Sequence, residues 1–246
     1  MAVNDMKLHI AFLPAELREV DLTGTVCIVL DIFRATTSIT AAMAHGCEAI
    51  YPVLTIEEAQ RMAAADPDCL LAGERQSIRI DGFHLGNSPY DFSRETVEGR
   101  RVIMTTTNGT AAINATVGCH ATLIGSFLNA QAVCGEALSH GRDILIVCAG
   151  TEQAFSLEDA LCAGYLAELL QGETAALEMT DAAYAALLLY RQAAADLPGV
   201  VKHSKNGRRL YEIGRADDVD YCLRKNTVTV VPRYANGSIR EKSMPQ

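Results

Sequence analysis

The chain has 246 residues, 49% apolar and 21% charged, an ordinary balance for a folded globular protein that excludes wholesale disorder. Its formal net charge is −9, and no cluster of Lys or Arg interrupts that acidity. A nucleic-acid partner, which demands a basic face, is therefore not expected, and an anionic ligand must be held locally by a few placed cations, backbone N–H groups or a metal.

The cysteines, Cys27, Cys47, Cys69, Cys119, Cys134, Cys148, Cys162 and Cys222, form no C-x-x-C pair. Zinc and thioredoxin-like readings lose support accordingly. Most lie in apolar runs, where a free thiol acts as a small core residue, and that usage suits a reducing cytoplasm. Residues 1–14 lack a basic flank followed by a long apolar stretch, so no leader is expected. No run reaches the roughly eighteen apolar residues of a membrane span.

In chain order, β-rich runs occupy residues 9–13 and 26–30. A helix is expected over 35–45, ended by Gly46, then a strand over 49–53. Ile56, Ala59 and Ala63 share one side of a helix over 56–65, and 69–72 reads as a strand. Residues 73–99 are rich in Gly, Asn, Ser, Pro and charge, a long connection of the kind that often carries function. Strands at 101–105, 121–125 and 144–148 then alternate with helices at 109–117, 130–139 and 157–170. Residues 173–225 read mostly as helix, clearest over 182–195, and 227–231 as a last strand at an edge. Such alternation implies right-handed crossovers and a largely parallel sheet covered on both faces. One α/β domain over 1–246 is expected, with a helical subdomain at about 173–225.

Ligands in such sheets sit beyond the carboxyl ends of the strands, and four strand ends are polar. Asp31-Ile32-Phe33-Arg34-Ala35-Thr36-Thr37-Ser38 follows the second run, placing a carboxylate beside a guanidinium and three hydroxyls at a helix start. That is an anion cradle next to a group able to bind a cation, activate water or attack; a plain helix cap with a surface Arg34 is the competing account. Gly73-Glu74-Arg75 follows the fourth run, where a solvated charge pair competes. Further on, Gly82-Phe83-His84-Leu85-Gly86-Asn87-Ser88-Pro89 offers fixed turns and polar donors, and His84 is the one histidine worth testing.

Thr105-Thr106-Thr107-Asn108-Gly109-Thr110 reads as a strand-to-helix turn rather than a hairpin, with Asn108 or Thr107 as N-cap. Gly109 would let an anion approach the free amides, although the Walker ending GK[ST] is missing. Ala149-Gly150-Thr151 follows the strand ending at Cys148, and Ser156 with Asp159 fits a capping box, leaving Glu158 less explained. Cys148 is a candidate reactive thiol; Cys162 reads as core. No histidine pair has metal spacing, and acid oxygens without His or Cys favour a hard cation such as Mg²⁺ over zinc. The Asp217–Asp220 cluster reads as a solvated acidic turn.

These motifs, with Cys162-Ala163-Gly164 and the stretch from His203-Ser204-x-Asn206-Gly207 through Tyr221-Cys222-Leu223 to Val231-Pro232, occur in an order that resembles the 2-phosphosulfolactate phosphatase family of coenzyme M biosynthesis over nearly the whole chain. The resemblance implies a three-layer α/β/α fold and a homodimer. It also implies Mg²⁺-dependent release of phosphate from (R)-2-phospho-3-sulfolactate, leaving 3-sulfolactate.

On this reading Asp31, Glu74 and Glu158 or Asp159 hold Mg²⁺, and Asp31, Arg34 and Glu74 are the catalytic set. Arg34, Thr36, Thr37, Arg75, Asn87, Ser88, Thr107, Asn108, Gly109, Thr110, Gly150 and Thr151 contact the substrate. The nucleophile is a water or Asp31 itself. An aspartyl-phosphate enzyme of the haloacid dehalogenase type would need Asp where Phe33 stands. A non-catalytic anion-binding protein on the same fold is the other alternative; carboxylates beside the cradles argue against it, because they repel an anion unless a cation intervenes.

Overall fold

A computed structural model describes residues 6–18, 20–174 and 177–241. Residues 1–5 of the segment screened for a leader, and 175–176 of the segment read as helical, lie outside them. The elements run β1 (Met6–Ala11), β2 (Val26–Leu30), α1 (Ala35–Ala44), β3 (Ala49–Pro52), α2 (Ile56–Ala65), β4 (Leu70–Arg75), β5 (Ile78–Arg79), α3 (Arg94–Val97), β6 (Arg101–Thr105), α4 (Gly109–Ala115), β7 (Ala121–Ile124), α5 (Ala130–Ser139) and β8 (Ile144–Cys148). They continue with α6 (Leu157–Glu173), β9 (Leu177–Met179), α7 (Asp181–Ala193), α8 (Leu197–Val201), α9 (Lys205–Glu212), α10 (Ala216–Cys222), β10 (Pro232–Ala235) and β11 (Ser238–Glu241). No helix among the described residues is long and apolar enough to cross a membrane.

β2 shows why the sheet is covered on both faces. It reads Val-Cys-Ile-Val-Leu and every residue is buried. Val26, Ile28 and Leu30 join a core with α5, α6 and α7, whereas Val29 meets α1 and α4 on the other side. A strand with period-two side chains buries its whole length only between two layers. Residues of α7, α8, α9 and α10 share the first of these cores with β1, β2 and β8.

Among the described residues the sheet has eleven strands, in the order β5-β4-β6-β3-β11-β10-β7-β2-β8-β1-β9. It is largely parallel, as expected, in two blocks: β4-β6-β3 and β7-β2-β8-β1-β9. The antiparallel hairpin β10–β11 sits between them. This corrects the expected edge strand over 227–231. That stretch forms no strand: Val228 N donates to Leu128 O (3.1 Å), and Val230 O accepts from Asn129 Nδ2 (3.0 Å). The true pairing begins at Pro232 and turns at Asn236-Gly237, whose φ values of 50° and 77° suit a two-residue hairpin turn. Two smaller corrections follow. The first strand starts at Met6, and the segment 173–225 contains β9 beside its helices.

The hairpin also lets the sheet fold. Six strand spacings of about 4.8 Å would separate β4 from β2 by roughly 29 Å in a flat sheet. Yet Arg34, four residues past β2, donates from Nη2 to the carbonyl of Ser77, two residues past β4, at 2.9 Å. The carboxyl ends of the two blocks therefore curve toward each other, over the end where the polar motifs lie.

α6 carries Glu158 and Asp159 and is set by close packing on α7. A Cβ on Gly164 would run into the carbonyl of Ala186 and lie 2.7 Å from Tyr190 Cβ. Gly164→Ala should lower stability by about 2–3 kcal/mol in urea unfolding, from overpacking against a rigid backbone. Gly172→Ala, with open space around it, should be neutral or gain up to about 1 kcal/mol.

Candidate active site

Asp31 stands one residue past β2 and is 6% exposed. The loop after it folds onto itself: Thr36 Oγ1 donates to Asp31 O (3.1 Å), Asp31 N donates to Thr36 Oγ1 (2.9 Å), and Thr37 Oγ1 donates to Ile32 O (3.1 Å). Thr36 and Thr37, expected in the anion cradle, are thus fully buried and bonded to the loop's own backbone. Ala35 N donates weakly to Asp31 Oδ1 (3.4 Å), and Gly109 lies against the other oxygen: a Cβ there would be 2.7 Å from Asp31 Oδ2 and 2.6 Å from Ala35 Cβ. Gly109 is required by this approach.

Three more carboxylates are buried around it. Glu74 Oε1 accepts from Thr107 N (2.8 Å) and Thr107 Oγ1 (2.9 Å), and Oε2 accepts from Ser77 N (2.6 Å). Asp159 Oδ1 accepts from Ile32 N (2.8 Å) and Oδ2 from Gly150 N (3.2 Å), so it fastens the loops after β2 and β8 together. Ser156 caps α6 as expected, but Asp159 does not return the bond, because these two buried amides have the stronger claim on it. Glu158 is 1% exposed and its Oε1 has no hydrogen-bond partner.

The electrostatics follow from that crowding. Burial, then the Glu74 charge, pushes Asp31 up from 3.8 to about 7. Burial, then Asp31 and Glu158, raises Asp159 well above the usual carboxylate range. For both, the neighbouring negative charges add to the cost of burial.

Arg34 is 3% exposed and does not stand free for a ligand at either terminal nitrogen. Nη1 donates to Asp218 Oδ2 (2.5 Å) and Nη2 to Ser77 O; Ser88 Oγ donates to the other oxygen of Asp218 (2.6 Å). Asp218 is 1% exposed, which corrects the solvated-turn reading of the 217–220 cluster. Asp217 and Asp220 are exposed, but α10 turns Asp218 inward at the helical period. Asn87 and Ser88 lie with Arg34 on a neighbouring cavity of about 530 Å³, and Asn87 Oδ1 is buried without a partner.

Glu74, Arg75, Thr107, Asn108 and Thr151 come together on one cavity of about 390 Å³. Arg75 is fixed there through Nη1 to Glu74 O (2.7 Å) and Nη2 to Thr105 Oγ1 (3.0 Å). Asn108 occupies the N-cap position of α4, but its Oδ1 accepts from Glu152 N (3.0 Å) across the site. Thr110 is buried and bonds back to Thr106 O (3.2 Å). Gly150, at φ 70°, makes the turn that delivers its amide to Asp159. The cavity also includes Phe33, Asn206 and Arg209, the last two from α9. Sequence reading placed no role on them or on Asp218; the His203–Gly207 motif was the available signal.

Two other candidates resolve as structural. His84 Nδ1 accepts from Leu71 N (2.9 Å). Cys148 is 1% exposed and burial pushes its thiol far up, so it is not a reactive thiolate. Cys162 is core, as expected.

The model of a family described as 2-phosphosulpholactate phosphatase matches residues 11–237. The chain is 38% identical over 235 residues to a Clostridium acetobutylicum protein named probable 2-phosphosulfolactate phosphatase, covering 95% of this chain and 100% of that one. It is 39% identical over 228 residues to a Symbiobacterium thermophilum protein of the same name, covering 92% and 96%. A Clostridium beijerinckii protein, also so named, is 32% identical over 236 residues, covering 95% and 99%.

Asp218→Ala leaves the Arg34 charge buried and unpaired and should cost about 3–5 kcal/mol in denaturant unfolding, with Asp218→Asn milder. The acids supply a pH test. Asp31 and Asp159 have folded values above their unfolded ones, so the native state resists charging them. The favourable contribution of each is complete below the ordinary value of 3.8; that of Asp31 is lost as pH rises through about 7, and that of Asp159 as pH rises through its own raised value. In EDTA, unfolding free energy measured from pH 5 to 8 should fall, and Asp31→Asn should flatten that slope.

Proposed function

The chain belongs to the 2-phosphosulfolactate phosphatase family, and on that premise we propose that it hydrolyses (R)-2-phospho-3-sulfolactate to 3-sulfolactate and phosphate, as a phosphoric monoester hydrolase. The observation that carries the chemistry is the gathering of four buried carboxylates at strand ends beside a polar cavity with a fixed arginine. Eight free cysteines favour a reducing compartment, the cytoplasm.

The donor set fits Mg²⁺. Negative charge is in excess, because Arg34 is already matched by Asp218. Glu74 and Asp159 have both oxygens bonded to protein donors, whereas Glu158 Oε1 has none. Asp31 and Glu158 are therefore the residues that would hold the ion, with Glu74 and Asp159 setting the loops around them. No group of three or more His, Cys, Asp or Glu among the described residues is gathered as a ready ligand set; an ion held by Asp31 and Glu158 would keep several waters. Bound there, Mg²⁺ would neutralise charge on the phosphoryl group as a Lewis acid.

The chain's own groups do the rest. Arg75, through the second N–H of each terminal nitrogen, and the Thr151 hydroxyl, which accepts from Asn206 and keeps its own hydrogen, orient the phosphoester in the cavity. Asp31 either attacks phosphorus or accepts the proton of an attacking water. Phosphate release from phosphosulfolactate should be abolished by EDTA and restored by Mg²⁺. Asp31→Asn should lower kcat by about 10²–10⁴-fold. Full activity in chelator, or in Asp31→Asn, would rule out this site.

A further inference from the structure

We propose that Asn206 and Arg209 of α9 bind the sulfonate of the substrate and so determine which phosphoester is hydrolysed. This rests on the phosphatase reading above. It assigns to the helical C-terminal part a specificity role in a site otherwise built from strand ends.

The helix presents these two residues together for a simple reason. Asn206 and Arg209 are three apart and share one face of α9, while Gly207 and Leu210, also three apart, are buried against the core. Ser204 fixes the start of the helix by accepting from Gly207 N (2.9 Å). Gly207 allows a close approach to the backbone: a Cβ there would meet the carbonyl of Val201. Lys205 pairs with Glu152 on the facing loop. The face carrying Asn206 and Arg209 is thereby held on the cavity that Glu74, Arg75, Thr107 and Asn108 also line, with Arg209 reaching the carbonyl of Gln76 next to Arg75.

Charge then decides what that face takes. The cavity has two arginines. Arg75 is tied at both terminal nitrogens beside Glu74, at the reacting end. Arg209 is half-buried and uses Nε and Nη2 on one acceptor, the carbonyl of Gln76, so its Nη1 has no protein acceptor among the described residues. Asn206 Nδ2 donates to Thr151 Oγ1 (2.9 Å), which fixes its amide on the same cavity. A sulfonate at the far end of the substrate is repelled from the carboxylates and meets in Arg209 a preoriented guanidinium, whose planar donors suit its oxygens.

The competing account is that Arg209 only clasps the Gln76–Ser77 turn, where both residues have positive φ. Steady-state kinetics on the full chain separates the two. The substrates are phosphosulfolactate and O-phospholactate, which keeps the phosphate and carboxylate but lacks the sulfonate. Arg209→Gln should lower kcat/KM on phosphosulfolactate about 100-fold, mainly through KM, and lower it far less on phospholactate. Arg209→Lys should fall between, and Asn206→Ala should narrow the same ratio. Equal losses on both substrates, or loss on neither, would overturn the proposal in favour of the clasp. Wild-type protein that hydrolyses neither phosphoester defeats the phosphatase reading instead. Calorimetric binding of 3-sulfolactate against lactate then decides this inference: weaker sulfolactate binding by Arg209→Gln upholds it, and unchanged binding overturns it.

Discussion

Asp31, Glu74, Glu158 and Asp159 hold four carboxylates almost wholly out of water, and the loops at the strand ends are arranged around that burden. A buried carboxylate is tolerable only with donors or a compensating charge. Glu74 and Asp159 take backbone amides at both oxygens, and in doing so lock the turns after β4, β6, β2 and β8. Asp31 and Glu158 are left with less, and Asp31 responds by becoming a weaker acid. The same incompleteness that disfavours these acids in the bare protein is what a hard cation would relieve.

The architecture makes the cluster possible. A flat sheet would hold β2 and β4 far apart. The β10–β11 hairpin joins the two parallel blocks with few pairings, one of them the single Ile239–Ile50 pair, and the blocks curve together. The chain then returns over the opening: α10 sends in Asp218 to meet Arg34 and Ser88, and α9 brings Asn206 and Arg209 to the cavity. The helical C-terminal part is thus continuous with the site as well as with the core.

Arginines divide the labour. Arg34, the most conspicuous cation in the sequence motif, is buried and committed to Asp218 and Ser77 O, and so organises the site from behind. Arg75, on the turn after Glu74, and Arg209, from α9, line the same cavity. A small substrate with several negative groups suits a cavity whose guanidinium groups are held by separate carbonyls, those of Glu74 and Gln76.

The alternation of apolar runs and helical periods was enough to read the parallel sheet, most of its strands and the strand ends that carry Asp31, Glu74 and Thr107, because those patterns are local. The ordered motifs were likewise enough to identify the family. The sequence alone did not locate the hairpin, although Asn236-Gly237 was a usable signal, because Thr227–Val230 has equally good strand chemistry and only its bonds to residues 127–129 keep it out of the sheet. Nor did it tell Asp218 from Asp217 and Asp220, or a cradle hydroxyl from one that closes a loop, as Thr36 does. Those outcomes depend on which partner lies across a space of a few ångströms, between residues as distant in the chain as Arg34 and Asp218. Only the folded sheet and the returning helices decide that.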